Sequence, residues 1–188
     1  RRNFIFWGLT SICLQFAYFG VNTWLPSYLA RDLGFDAKAT GWFLAGTYAC
    51  MILGKAGTGW LGDLFGRRFM WVLTGLATAL ALPLIMYSAT PGNVGILLLL
   101  FGLLYGAPYA INATYMSESF PTAIRATAVS VSYNVGRIGS TVSPLLIGLI
   151  AGSYSVGFGI ALLGCVYALS ALIPGLFIPQ KMFDPGAV

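Results

Sequence analysis

Charge is the scarcest component of this chain. Only 8% of its 188 residues are charged, as ten Lys+Arg and five Asp+Glu, and histidine is absent. Fifteen charges are too few to cover a soluble domain, whose surface is ~25–35% Lys, Arg, Glu and Asp. Disorder is excluded too, because 58% of the residues are hydrophobic. The net charge of +5 does not mark a nucleic-acid binder, since the basic residues are scattered and form no basic face. Without histidine there is no Ser–His pair and none of the commoner zinc sites. Asp63 is the only acid near the second and third apolar runs, so a buried aspartate pair is missing as well. No phosphate-cradling Gly-x-x-x-x-Gly-Lys-[Ser/Thr] loop occurs. An enzyme is therefore not expected, and neither is a cofactor or a metal. The three cysteines, Cys13, Cys50 and Cys165, lie inside apolar runs. They are expected to be buried thiols and not a disulfide framework. The class that remains is an all-α integral membrane protein.

Long apolar runs are what the sequence has. No charge lies between Arg2 and Arg31, between Arg68 and Glu118, or between Arg137 and Lys181. A bilayer core needs ~20 helical residues. The second run holds about two such lengths, split at Ser88-Ala89-Thr90-Pro91-Gly92-Asn93, and the third is split at Gly152-Ser153-Tyr154-Ser155-Val156-Gly157. Six helices are predicted, over about 4–29, 39–61, 69–88, 93–117, 126–150 and 156–178. The runs are continuous and do not alternate, which favours helices over a barrel. Arg1-Arg2 directly before an apolar helix reads as an excerpt from a longer chain.

An even helix count places both ends on one side. That side holds Arg1, Arg2, Arg67, Arg68, Arg125 and Lys181, and the other holds Arg31 and Lys38, balanced by Asp32 and Asp36. The positive-inside rule then makes both termini cytoplasmic. Trp7, Trp60 and Trp71 fall near the cytoplasmic boundary, and Trp24 and Trp42 near the outer one, as interfacial anchors do.

Two loops carry sequence-specific signals. The second helix ends in Gly59-Trp60-Leu61-Gly62-Asp63-Leu64-Phe65-Gly66-Arg67-Arg68. Its glycines permit a tight turn, and Asp63 lies four residues from an Arg pair. The string Glu118-Ser119-Phe120-Pro121-Thr122-Ala123-Ile124-Arg125 follows the fourth helix. In the fifth helix Tyr133-Asn134-Val135-Gly136-Arg137-Ile138-Gly139-Ser140 precedes Pro144. The first string resembles the signature loop of the major facilitator superfamily, with Leu64 where a basic residue is frequent. The second is similar to the acidic-to-Arg loop of sugar-porter-like and metabolite-symporter members. The third resembles the penultimate helix of aromatic acid/proton symporters and related organic-anion carriers. Asn22-Thr23-Trp24-Leu25-Pro26-Ser27-Tyr28-Leu29 is similar to the outer end of a first helix in either half of such a carrier.

This resemblance implies the C-terminal six-helix half of a twelve-helix transporter, built as two inverted three-helix repeats over residues 1–188. Its partners would be an N-terminal six-helix half, a small carboxylate substrate and the lipid bilayer, with no nucleic acid. A bacterial inner membrane is the expected location. The two cytoplasmic loops would hold a gate through Asp63, Arg67, Arg68, Glu118 and Arg125.

Arg137 stands apart from the loop charges. It lies about thirteen residues, ~20 Å, beyond Ile124 and so near mid-bilayer. Its pKa is too high for neutralisation, and snorkelling from that depth is difficult. Ser130, Tyr133, Asn134, Arg137, Ser140 and Thr141 recur at helical spacing on one face. That face is read as the binding site for a substrate carboxylate, with a structural ion pair to a missing acid as the alternative. Ser11, Gln15, Tyr18 and Asn22 form a second stripe, and Tyr105, Tyr109 and Asn112 a third, with Pro108 as a kink site. They are expected to line the same cavity. Lys55, about six residues inside the second helix's cytoplasmic end, is read as an interface lysine that snorkels. No mid-membrane group in the chain titrates near neutrality, so a coupling acid would belong to the other half. The expected function is proton-coupled transport of a small organic acid by alternating access. A sugar or drug carrier of the same superfamily, or a six-helix oligomeric channel or structural subunit, is the alternative.

Overall fold

A computed structural model describes residues 2–179. Arg1, Lys181 and Asp184 lie outside the described residues. The described residues fold as six successive helical spans. The first is α1 (Arg2–Ser27), which continues into a widened π turn at Tyr28–Asp32. Then come α2 (Ala37–Phe65) and α3 (Arg67–Ser88). The fourth span is broken into α4 (Val94–Tyr105) and α5 (Ala107–Glu118). The fifth is broken into α6 (Arg125–Val135) and α7 (Arg137–Ser153), after a short 3-10 turn at Thr122–Ile124. The sixth is α8 (Val156–Phe177). The sequence predicts one helix for each of these two spans, with a kink at Pro108 in the fourth. Pro108 has no N–H to continue the first of these, and at both breaks the chain tightens to an i→i−3 bond, Tyr109 to Gly106 and Gly139 to Gly136.

Five spans are long and apolar enough to cross a membrane, and α2 falls short in apolarity. Its 29 residues suffice in length, but they include six glycines, three threonines and Lys55. What α2 buries is Thr40, Thr47, Thr58 and Gly62, a small and polar stripe. The outside of the bundle is the reverse of a soluble surface. Leu80, Leu84, Leu149, Leu145 and Leu176 are each about two-thirds or more exposed. Burial inside the bundle cannot account for these residues, and lipid can.

Three helix pairs approach to backbone contact, and glycine allows each. A Cβ on Gly102 of α4 would overlap the Thr47 carbonyl of α2, and one on Gly54 of α2 would overlap the Leu103 carbonyl of α4. In the same way Gly139 of α7 meets the Ile12 carbonyl of α1, and a Cβ on Gly164 of α8 would stand 2.5 Å from the Ala79 carbonyl of α3. These pairs have the two-fold pattern of two three-helix repeats. Exchanging the repeats carries first-with-fifth onto fourth-with-second, and third-with-sixth onto itself.

The ends are closed by local bonds. Gly66, at φ 95°, makes the entire α2–α3 turn. On the opposite side, Asp36 caps α2 by accepting the Ala39 N–H at 2.7 Å. Asp32 accepts the Gly157 N–H at the start of α8, also at 2.7 Å. These acids thus serve helix N-termini instead of merely balancing Arg31 and Lys38.

Two sequence expectations are corrected. Trp7 and Trp71 are fully buried and pack edge-on, with Tyr115 against both. They are core residues tying α1, α3 and α5, because the bundle closes over their rings. Trp24 is half-buried and donates to the Pro144 carbonyl at 3.0 Å, whereas Trp42 and Trp60 are exposed as expected of anchors. Cys165 is exposed, on an apolar groove of about 470 Å³ between α3 and α8, while Cys13 and Cys50 are half-buried.

Gly102→Val should force α2 and α4 apart. Overpacking of this kind costs ~1–3 kcal/mol. Thermal unfolding of the detergent-solubilised protein should show a clear drop in Tm. Gly92→Val, where an added Cβ meets nothing within 4 Å, should leave it unchanged.

Candidate functional site

The polar stripes converge at one depth. Tyr18 is 16 residues from Arg2 and 14 from Asp32 in its span, since 18 − 2 = 16 and 32 − 18 = 14. Gly106 is 12 residues from each end of Val94–Glu118. Arg137 is 15 from Thr122 and 16 from Ser153. The two helix breaks and the central tyrosine of α1 therefore share the middle of the bundle.

At the first break the helix leaves carbonyls without their usual donors. Pro108 cannot donate to the Leu104 carbonyl, and the Thr78 hydroxyl lies 3.0 Å from it and 2.8 Å from its own Thr74 carbonyl, sharing one proton. The Tyr167 hydroxyl donates to the Tyr105 carbonyl at 3.4 Å. At the second break, Gln15 Nε2 donates to the Tyr133 carbonyl at 2.7 Å, an acceptor that an unbroken helix would offer to the Arg137 N–H. Gly136 makes room for this, since a Cβ there would press on Ser11 and Gln15.

These bonds sort the predicted residues. Gln15 is 2% exposed and Tyr105 1% exposed. Tyr105 donates to the Tyr18 carbonyl and stacks on the Tyr18 ring, with centroids 4.7 Å apart and an interplanar angle of 7°. Both residues brace the site from behind and do not face it, a correction to their reading as cavity lining. Asn112 is also buried, at 4% exposure, and its Oδ1 has no hydrogen-bond partner among the described residues. Asn22 is half-buried and accepts the Tyr48 hydroxyl at 2.9 Å, tying α1 to α2. Tyr18 and Tyr109 are half-buried, with ring centroids 4.3 Å apart. The Tyr109 hydroxyl has no partner among the described residues. Tyr133 is half-buried, and Asn134 and Arg137 are exposed on the bundle face. Asn134 donates to the Ser130 carbonyl of its own helix at 2.8 Å. No ion pair or side-chain hydrogen bond of Arg137 is found among the described residues. A cation at that depth costs ~3 kcal/mol on insertion scales, so it calls for an anion.

One member was misassigned by sequence. Lys55 is half-buried with its Nζ 5.8 Å above the Tyr18 ring, and a Cβ on Gly106 would touch its Cε at 2.6 Å. The prediction ended the second helix near 61, but α2 runs to Phe65, so Lys55 lies 65 − 55 = 10 residues from its end. That is ~15 Å, beyond the reach of a snorkelling stem. Tyr48 and Met51 were missed entirely. Met51 Sδ receives the Tyr18 hydroxyl at 3.5 Å. The spacing Tyr48, Met51, Lys55 marks one helical stripe and was the available signal.

At the end of the bundle where α2 turns into α3, Arg67 pairs with Asp63 one turn back and reaches Glu118 Oε1 from its Nε at 3.5 Å. Three of the five predicted gate residues meet there. Arg68 turns away and donates from its Nε to the Gly175 carbonyl at 3.0 Å. That carbonyl ends α8 four residues before Pro179, which has no N–H to offer it. Arg125 closes its own loop, from Nε to the Phe120 carbonyl at 3.3 Å and from Nη2 to Thr122 Oγ1 at 3.4 Å.

The geometry defines an integral membrane bundle that presents polar, cationic and aromatic side chains at mid-depth. The chain belongs to the Major Facilitator Superfamily, whose family model matches residues 7–187. It is 49% identical over 185 residues to the cis,cis-muconate transport protein of Acinetobacter baylyi, covering 98% of this chain and 45% of that protein. It is 30% identical to the gentisate transporter of Corynebacterium glutamicum over 90% of this chain and 39% of that one. It is 32% identical to a putative niacin/nicotinamide transporter of Bacillus subtilis over 86% and 41%. The chain thus spans about half the length of the curated relatives it matches. An auto-inhibited peptide transporter of the POT family shares the fold, with a TM-score of 0.76 and 20% identity over 98% of this chain and 40% of that one. Family and relatives are described as transporters and not as enzymes.

If Gln15 is a brace, Gln15→Leu should destabilise the protein by ~1–3 kcal/mol through the unpaired Tyr133 carbonyl. The check is Tm in detergent. Asn134→Leu, on the open face, should leave Tm within error.

Proposed function

We propose that this chain is the C-terminal six-helix half of a secondary carrier for a small, flat organic acid. The observation that carries this is Arg137, held at mid-span on a broken helix beside Tyr133 and Asn134, with no acid near it among the described residues. A guanidinium so placed binds a carboxylate strongly, because the medium screens little. Half-buried Tyr18 and Tyr109 leave part of an aromatic surface beside it for a planar carbon skeleton. The relatives named for muconate, gentisate and niacin support an unsaturated or aromatic acid.

The second six-helix half, supplied by the rest of the protein, would cover this face. Alternating access follows if the halves rock about it, first open to one side of the membrane and then to the other. Proton coupling needs a group that ionises at mid-membrane. The described residues place no carboxylate there, so in this scheme the coupling acid belongs to the other half. A bacterial inner membrane with both termini in the cytoplasm agrees with the clustering of Arg67, Arg68 and Arg125 on one side. A relative from Escherichia coli is described as an inner membrane metabolite transport protein.

Arg67, bridging Asp63 and Glu118, serves in this scheme as a latch at the cytoplasmic face. The side chains of Asp63 and Glu118 are 61% and 43% exposed, so each pair contributes only ~0–1 kcal/mol. A latch that opens every cycle requires that weakness.

Two measurements test the scheme in the full-length protein. Arg137→Ala in proteoliposomes should lower carboxylate uptake by at least about tenfold, the loss of a charge-assisted bond of ~1.5–3 kcal/mol, while Tm holds. Normal uptake by that variant would remove the site. Glu118→Gln should raise thiol labelling from the cytoplasmic side severalfold, consistent with a shift of ~1 kcal/mol or less toward the cytoplasm-open state.

A further inference from the structure

Arg137 is matched by a second mid-membrane cation that the function above does not use. Lys55 Nζ lies 5.8 Å over the Tyr18 ring, and its stem packs in the notch left by Gly106. Tyr18 and Gly106 are both midpoints of their spans, so the amine they bracket is at mid-depth too. The notch is specific. A Cβ on Gly106 would also overlap Met51 of the same α2 stripe. The contact of the amine with a ring face offsets part of its desolvation but does not neutralise it. The described acids are Asp32 and Asp36 at one end of the bundle and Asp63 and Glu118 at the other. Lys55 makes no ion pair and no side-chain hydrogen bond among the described residues.

Lys55 and Arg137 occupy corresponding positions in the topology. Lys55 is on the second span, which packs on the fourth, and Arg137 is on the fifth, which packs on the first. The two-fold that exchanges the repeats exchanges these helices. Tyr18 and Tyr109 come from the first and fourth spans, the other pair that the same two-fold exchanges. Two cations on one pair of helices and two rings on the other make a site with two positive ends and aromatic rings beside it.

We infer that Lys55 binds a second carboxylate, so that the site takes a dicarboxylate whose planar, unsaturated spacer runs between the two cations, beside the Tyr18–Tyr109 pair. This rests on the assignment of Arg137 to the first carboxylate. A dianion neutralises both mid-span cations at once, whereas a monoanion leaves one of them without a counter-charge in the closed carrier. Selectivity for two carboxylates over one follows from that unpaired charge.

The test uses two probes with the same conjugated chain, hexa-2,4-dienedioate and hexa-2,4-dienoate. Binding of each to the full-length carrier is measured by calorimetry in detergent, with Tm as the folding control. The wild-type protein should bind the dianion at least about tenfold more tightly, the scale of one charge-assisted bond. Lys55→Met should lose that preference by weakening the dianion alone, and Lys55→Arg should restore part of it. Lys55→Gln, which keeps a polar stem, repeats the comparison if the Met variant does not fold. A Lys55 variant that weakens both probes equally, or neither, overturns the inference and marks Lys55 as a partner for an acid on the other half. Failure of the underlying site is read separately. There, Arg137→Met would leave the binding of both probes unchanged, whatever stands at position 55.

Discussion

Close approach of helix backbones is the constraint on which this structure depends. Between lipid-facing helices the hydrophobic effect supplies no net attraction, so association rests on packing and on the bonds that packing permits. Gly54 and Gly102 let α2 lie against α4, Gly136 and Gly139 let α7 lie against α1, and Gly75 and Gly164 let α8 lie against α3. The mid-membrane side chains are placed by those contacts. The α2–α4 contact creates the notch at Gly106 that holds the Lys55 stem. The α1–α7 contact brings Gln15 to the carbonyl beside Arg137 and sets the start of α7.

Breaking two helices at mid-membrane carries a cost that the bundle meets with side chains. A carbonyl without a donor is expensive where water is absent. Thr78, Tyr167 and Gln15 each donate to carbonyls at the breaks, and each comes from a different span. This is why part of the polar content turns inward. Residues that look like cavity lining, Gln15 and Tyr105 above all, instead support the backbone beside the proposed site, at the Tyr133 and Tyr18 carbonyls.

The two ends of the bundle are closed in different ways. On the side of Asp32 and Asp36 the acids accept backbone N–H groups at helix starts, which fixes geometry. On the side of Arg67 the contacts are ion pairs from a mostly covered guanidinium to carboxylates about half exposed, which are weak and screened. Arg68 is the exception there. Its bond to the Gly175 carbonyl joins the start of α3 to the last turn of α8, as fits the closely packed pair they form.

Class, span number and the loop motifs were legible in the sequence because hydropathy and charge are summed along the chain and need no partner. So was the depth of Arg137, since distance along a helix is linear in residue number. The roles of Trp7, Trp71, Gln15, Tyr105 and Lys55 were not legible. Each depends on which face of a helix is turned inward and on what stands opposite. Lys55 shows the reason most plainly. A shift of four residues in the end of α2 and a glycine 51 positions away, at 106 against 55, convert an interface lysine into a mid-membrane cation. Periodicity alone determined that the chain has a polar stripe on each of several helices. Only the tertiary structure decided which members of those stripes face one another and which face out, because that follows from where glycine lets two backbones touch.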